Sequence, residues 1–129
     1  MASTSEMEEC DVVVPRNLVA EFVKYTKQVE RDVGVRLSGF GHAGDGNLHV
    51  YVLRDDFDPE TYARKLNESF DLLYAKARAL GGQVSGEHGI GFAKKAFLAE
   101  SLGEVSINLL RSIKRAFDPN GILNPGKVC

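Results

Sequence analysis

Apolar positions along the chain predict four strands and four helices. The β-branched run at residues 11–15 (DVVVP) predicts the first strand. A helix follows, because apolar residues recur at helical spacing before Gly34, at Leu18, Phe22, Tyr25 and Val29. Residues 35–43 and 48–54 predict two further strands. Asp58 and Pro59 then supply an N-cap and a first-turn proline for a second helix. Its apolar stripe runs to Gly81-Gly82 and comprises Tyr62, Leu66, Phe70, Leu73, Ala77 and Leu80.

A short extended piece at residues 83–85 predicts a fourth strand, followed by two helices near residues 93–101 and 104–117. The turn sequence DPNG at residues 118–121 ends the last helix. The order strand, helix, strand, strand, helix, strand is that of a ferredoxin-like fold. The sequence therefore predicts an α+β protein, a β-α-β-β-α-β sandwich with an antiparallel sheet and two C-terminal helices.

Length and composition set the outer limits of this interpretation. A chain of 129 residues is one domain's worth, which we place at residues 11–129 after a polar, disordered extension at residues 1–10. The net charge of −2 gives no case for a nucleic-acid or anionic-membrane partner. Cys10 and Cys129 form no disulfide framework, and no signal peptide or membrane-spanning run is present in the sequence. The expected compartment is the cytoplasm.

The glycines of GFGHAGDGNLHVYVL, residues 39–53, spell the dinucleotide fingerprint G-x-G-x-x-G. That motif needs a helix after its glycines to bind a pyrophosphate, and here a β-rich run follows instead. A second near miss, GEHGIG, has Phe92 where a phosphate loop needs lysine. Asp45-Gly46 between two strands predicts a tight type I′ hairpin turn. In that register His42 lies opposite His49.

Opposed residues in a hairpin share a face, with Cβ atoms about 4.5–5.5 Å apart. His42 and His49 could then converge on one metal ion. Phe40 is expected to face Tyr51 on the same side of the sheet. The opposite, apolar side is expected to pack on the helices. Surface histidines that bind nothing are the open alternative. GQVSGEHGIG adds Glu87 and His88 between glycines. Two histidines and a carboxylate form a frequent catalytic metal set, although Glu87 alone is equally compatible with a solvated charge.

GHAGDGNLH, SGEHGIG and KRAFDPNGILNPGK occur in this order and resemble the C-terminal part of the FAD-linked oxidases, a family of D-2-hydroxyacid dehydrogenases acting on D-lactate, glycolate or D-2-hydroxyglutarate. The resemblance implies a divalent metal, zinc or iron-like, held by His42, His49 and Glu87. It implies that His88 is the base that accepts the substrate hydroxyl proton, and that Asn124 approaches the flavin. Hydroxyglutarate-type members carry Asn where this chain has Tyr51, so the resemblance favours a substrate contact for Tyr51 and a smaller acid, D-lactate or glycolate.

The family's separate FAD-binding domain has no counterpart in this sequence. We therefore expect the chain to supply the substrate and metal half of an active site, without turnover by itself. The resemblance also implies an electron acceptor such as a quinone or an electron-transfer flavoprotein. An exposed apolar patch is expected to favour a homodimer.

Two other classes of function remain open from the sequence. One is a metal-binding or regulatory ferredoxin-like module without redox activity, which requires Glu87 and His88 to be remote from a closed histidine site. The other is a structural interaction domain, which requires His42 and His49 to be solvated.

Overall fold

A computed structural model describes residues 6–128 and contains one antiparallel sheet of three strands. The strands are β1 (Met7–Val13), β2 (Arg36–His42) and β3 (Asn47–Leu53), and their order across the sheet is β1-β3-β2. β3 is therefore central, and each of its seven residues pairs with one residue of β1 and one residue of β2 in regular antiparallel register. This architecture confirms the predicted α+β class.

Three helices accompany the sheet: α1 (Val19–Val29), α2 (Pro59–Ala79) and α3 (Lys95–Phe117). The side chain of Asp58 accepts hydrogen bonds from the backbone N–H groups of Glu60 and Thr61, so the predicted N-cap of α2 is confirmed. Gly103, with φ 74° and ψ 169°, interrupts α3 where the sequence predicts a break between two helices. None of the helices within residues 6–128 is long and apolar enough to cross a membrane.

The sequence predicts one domain over residues 11–129. In the structure, the described chain divides into two compact units. The boundary lies between Glu87 and His88. The first unit contains the sheet with α1 and α2, and the second contains α3 and the C-terminal turns.

The first strand begins earlier than predicted. Met7–Cys10 belong to β1, so the prediction of a disordered extension over residues 1–10 is wrong for these residues, while residues 1–5 lie outside the described part. Long-range contacts are the reason, because Cys10 pairs with Val50 of β3 and is fully buried. The backbone carbonyl of Glu6 also accepts a hydrogen bond from the Arg54 amide at 2.8 Å.

The predicted fourth strand over residues 83–85 is reduced to one bridge, between Val13 and Gln83 at the outer edge of β1. Two backbone hydrogen bonds of 3.1 and 2.8 Å form this bridge. The chain then leaves the edge, because the next donors bond to the Asp11 side chain instead of to a backbone carbonyl.

The predicted hairpin register is wrong by two residues. His42 pairs with Asn47, and Phe40, not His42, lies opposite His49. A four-residue loop, residues 43–46, replaces the predicted two-residue turn, because the amides of Asp45 and Gly46 both donate to the carbonyl of His42, at 3.1 and 3.0 Å. A shift of two residues preserves which face each side chain occupies, whereas a shift of one would reverse it.

The two faces of the sheet therefore differ as predicted. One face is apolar and packs on the helix layer, where the phenol of Tyr74 on α2 contacts the Cys10 side chain. Burial is the main cause that raises the pKa of Tyr74 far above its usual value. The buried side chains of this face are Cys10, Val12, Leu37, Leu48, Val50 and Val52. Alternation along the strands places the histidines on the opposite face.

Gly41 is required for close approach of the two hairpin strands. A Cβ atom added at Gly41 would lie 2.2 Å from the backbone oxygen of Asn47 and 2.9 Å from the Cα of Leu48. Gly44 in the loop offers a control, because an added Cβ there meets nothing within 4 Å. Gly41 thus serves the packing of the hairpin rather than the binding of a dinucleotide.

We predict that Gly41→Ala lowers the free energy of unfolding by about 1–3 kcal/mol, since backbone atoms must move to admit the methyl group. Gly44→Ala should stay within about 0.5 kcal/mol of the wild type. Urea denaturation followed by circular dichroism measures both variants. Equal stability of the two variants would contradict the close-approach explanation.

Candidate functional site

His49 is a buried imidazole on the central strand, with only 3% of its surface exposed. Its Nδ1 lies 2.7 Å from a carboxylate oxygen of Glu9, and its Nε2 lies 3.2 Å from a carboxylate oxygen of Glu87. The short contact with Glu9 assigns a proton to Nδ1, which donates to that carboxylate. Nε2 is the nitrogen directed towards Glu87.

Glu9 links His49 to Tyr51. The register of β1 and β3 places Glu9 directly opposite Tyr51, and the phenol donates to the second Glu9 oxygen at 2.7 Å. This hydrogen bond, with burial and the nearby negative charge, raises the pKa of Tyr51. The tyrosine therefore remains a neutral donor, and Glu9 is held from one side by a phenol and from the other by an imidazole.

His42, His49 and Glu87 converge although the register differs from the predicted one. One ligand atom from each lies within 4.8 Å of the other two. The two imidazole rings meet nearly edge to face, with centroids 6.4 Å apart. Ligand atoms on a tetrahedral zinc ion, with bonds of about 2.0–2.2 Å, are separated by about 3.4 Å. Because the side chains of His42 and Glu87 are exposed, small rotations could close this difference.

The donor set itself fits a divalent metal. Two imidazoles and one carboxylate are ligands that zinc and non-haem iron both accept, and three protein ligands leave positions open for other molecules. The Glu9–His49 contact has the arrangement found behind many metal-bound histidines, in which a carboxylate fixes the ring's orientation and tautomer. The structure thus brings together a site that could hold a metal ion.

Over residues 1–128 the sequence matches the family described as FAD linked oxidases, C-terminal domain. The chain belongs to this family. It is 50% identical over 128 residues to a D-lactate dehydrogenase of Anaerostipes hadrus, covering 99% of this chain and 27% of that protein. Glycolate oxidase subunit GlcD of Bacillus subtilis is 38% identical over 118 residues, covering 92% of this chain and 25% of the relative.

A D-2-hydroxyglutarate dehydrogenase of Stutzerimonas stutzeri is also similar, with 33% identity over 116 residues, 85% of this chain and 25% of the relative. The chain therefore spans about a quarter of the length of these curated relatives.

The other predicted site residues of this FAD-linked oxidase domain lie in the second unit. His88 is exposed and is the first residue of that unit. Asn124 is exposed and has φ 46°, in a turn after α3. Asp118 holds this turn by accepting hydrogen bonds from the amides of Ile122 and Leu123, at 3.0 and 2.9 Å. The base role of His88 and the flavin contact of Asn124 stay predictions.

Glu9 is the site residue that the sequence analysis missed, because it fell within the predicted disordered extension. The available signal was alternation in EECDVV, residues 8–13, where apolar Cys10 and Val12 alternate with acidic Glu9 and Asp11. Carboxylates on one face of a strand that pairs with a histidine-bearing strand are candidates for contact with the imidazole.

We predict that Glu9→Ala shifts the proton of the His49 ring from Nδ1 towards Nε2. In this variant Nδ1 has lost its carboxylate acceptor, whereas the Glu87 carboxylate can still accept a hydrogen bond from Nε2. Long-range ¹H–¹⁵N NMR of the ring nitrogens in the metal-free chain measures this shift. Glu8→Ala is the matched control, because exposed Glu8 pairs with Val52 and its side chain lies on the other face. An unchanged His49 ring in Glu9→Ala would contradict the orienting role.

Proposed function

We propose that this domain provides the substrate- and metal-binding part of an FAD-dependent oxidoreductase that oxidises a D-2-hydroxyacid to the 2-oxoacid. The observation that carries the proposal is the convergence of His42, His49 and Glu87 on the sheet face opposite α1 and α2. Three similar proteins named for D-lactate, glycolate and D-2-hydroxyglutarate support the substrate class. D-lactate or glycolate is favoured by Tyr51, which we propose contacts the substrate.

His42, His49 and Glu87 would hold the divalent metal, zinc or iron-like. When bound, such an ion supplies a Lewis acid that binds hydroxyacid oxygens and stabilises negative charge on them. Glu9 contributes by fixing the His49 ring so that Nε2 is available as the ligand atom.

His88 is proposed as the general base that accepts the hydroxyl proton of the substrate at a ring nitrogen. FAD, when bound, supplies the redox chemistry by accepting the substrate hydride. We propose that it is held mainly by another domain, with Asn124 close to the flavin. A quinone or an electron-transfer flavoprotein is the proposed final electron acceptor.

Self-association is also proposed, on the basis of exposed apolar side chains in each unit. Phe40 is 64% exposed in the first unit, and Ile122 and Leu123 are 73% and 57% exposed in the second. A homodimer of the chain would cover exposed apolar side chains of this kind.

We predict that calorimetric titration of the chain with zinc or manganese detects one binding site. His49→Ala should abolish binding, because it removes the best-oriented ligand of the three. His88→Ala is the matched histidine control and should retain binding, since this proposal assigns His88 to proton transfer. Wild-type-like binding in His49→Ala would refute the metal site.

We predict that the 129-residue chain alone does not oxidise D-lactate or glycolate with artificial acceptors, and that a complementing FAD domain restores oxidation. In the restored protein, His88→Ala should abolish turnover while the flavin absorbance spectrum stays that of the bound cofactor. Full turnover in His88→Ala would overturn the base assignment, and absence of any hydroxyacid oxidation in the restored protein would overturn the proposed reaction.

A further inference from the structure

Asp11 is a buried carboxylate on the same face as the candidate metal ligands. Only 1% of its surface is exposed, and it lies directly opposite His49 in the register of β1 and β3. Burying a carboxylate is costly unless hydrogen-bond donors surround it. Two of the donors to Asp11 come from the segment after the Val13–Gln83 bridge: the Ser85 hydroxyl at 2.8 Å and the Gly86 amide at 3.0 Å.

These two hydrogen bonds redirect the chain. Continued antiparallel pairing from the Val13–Gln83 bridge would place Ser85 opposite Asp11, two residues further along a regular edge strand. Instead, both donors bond to the Asp11 side chain. Asp11 lies opposite His49 and binds residues 85–86. The next residue, Glu87, is therefore placed beside Nε2 of His49.

On the other side of the segment, Gly86 packs closely against the side chain of Asn47. A Cβ atom added at Gly86 would lie 2.0 Å from Oδ1 of Asn47, the residue paired with His42. Asn47 is 6% exposed, and its Oδ1 has no hydrogen-bond partner among the described residues. Gly86 thus lies against a carboxylate of β1 and a side-chain amide of β3.

We propose that Asp11 is a positioning residue that acts through Ser85 and Gly86 to hold Glu87 against His49, and so completes the metal site from the edge of the sheet. This inference rests on the proposed function for the identity of the ligand that the site takes. The position of Glu87 can be tested without any metal. The two parts can therefore fail separately.

The test compares three variants of the full chain. Asp11→Ala removes both acceptor oxygens. Asp11→Asn is the conservative variant, because its amide can accept from Gly86 and donate to the Ser85 hydroxyl. Val12→Ala is a control for destabilisation of β1 alone, since Val12 is fully buried on the helix-facing side.

The first measurement is metal-free NMR, with hydrogen exchange of the Gly86 amide and nuclear Overhauser contacts between Glu87 and the His49 ring. Asp11→Ala should accelerate Gly86 exchange by about tenfold or more, because a hydrogen bond to a charged acceptor is lost. It should also remove the Glu87–His49 contacts. Asp11→Asn and Val12→Ala should keep those contacts.

The second measurement is zinc affinity by competition with a chelator dye. Asp11→Ala should bind zinc about 10- to 100-fold more weakly, the usual loss when a residue that supports a metal ligand is removed. Asp11→Asn should remain within about fivefold of the wild type, because its side-chain amide can still hydrogen-bond to both Gly86 and Ser85. Val12→Ala should bind like the wild type.

Unchanged Gly86 exchange and unchanged Glu87–His49 contacts in Asp11→Ala would overturn the inference. Equal losses of zinc affinity in Asp11→Ala and Val12→Ala would overturn it as well, because they would reflect destabilisation only. If Asp11→Ala fails to fold, Ser85→Ala takes its place, with loss of Glu87–His49 contacts supporting the inference and their retention overturning it. If the wild type binds no zinc but the NMR effects appear, the metal function fails while the positioning role stands.

Discussion

The burial of an imidazole on the central strand is the constraint on which the rest of the site depends. His49 lies on β3, is almost inaccessible to solvent, and sits on the sheet face opposite the side chains that pack on α1 and α2. A polar ring can be buried there only if its nitrogens find partners. Glu9 and Glu87 meet that requirement from two separate segments of the first unit, at 2.7 and 3.2 Å.

This constraint gives β1 a role beyond completing the sheet. Its helix-facing residues, Cys10 and Val12, contribute to the apolar core, whereas Glu9 and Asp11 between them face the histidine side. Glu9 contacts the ring itself, and Asp11 contacts the segment that carries Glu87. One strand therefore carries residues that contact both the buried candidate ligand, His49, and the segment bearing the exposed candidate ligand, Glu87.

Local features of the fold could be predicted from the sequence because their causes are local. Asp58 and Pro59 start α2, and Gly103 breaks α3. Gly34, with φ 68°, ends the π-helical segment Glu30–Gly34 that continues α1. The start of β1 could not be predicted in this way. Met7–Cys10 become a strand through pairing with β3, and an acidic, polar stretch gives little local indication of that partner.

The candidate ligands were predicted although the hairpin register was not. The loop length depends on two amides converging on the carbonyl of His42, which the Asp-Gly dipeptide does not specify. A two-residue shift kept His42 and His49 on one face, as diagonal neighbours rather than opposed residues. Glu9 and Asp11 were not identified because their roles require the three-dimensional arrangement of β1, β3 and residues 83–87.

The most direct test of the central claim is anomalous X-ray diffraction from crystals of the chain grown with zinc. We expect one strong anomalous peak about 2.0–2.2 Å from Nε2 of His49, a nitrogen of His42 and a carboxylate oxygen of Glu87. We also expect that Nδ1 of His49 remains hydrogen-bonded to Glu9. A peak elsewhere, or a zinc-free site with Nε2 of His49 still against Glu87, would contradict the account.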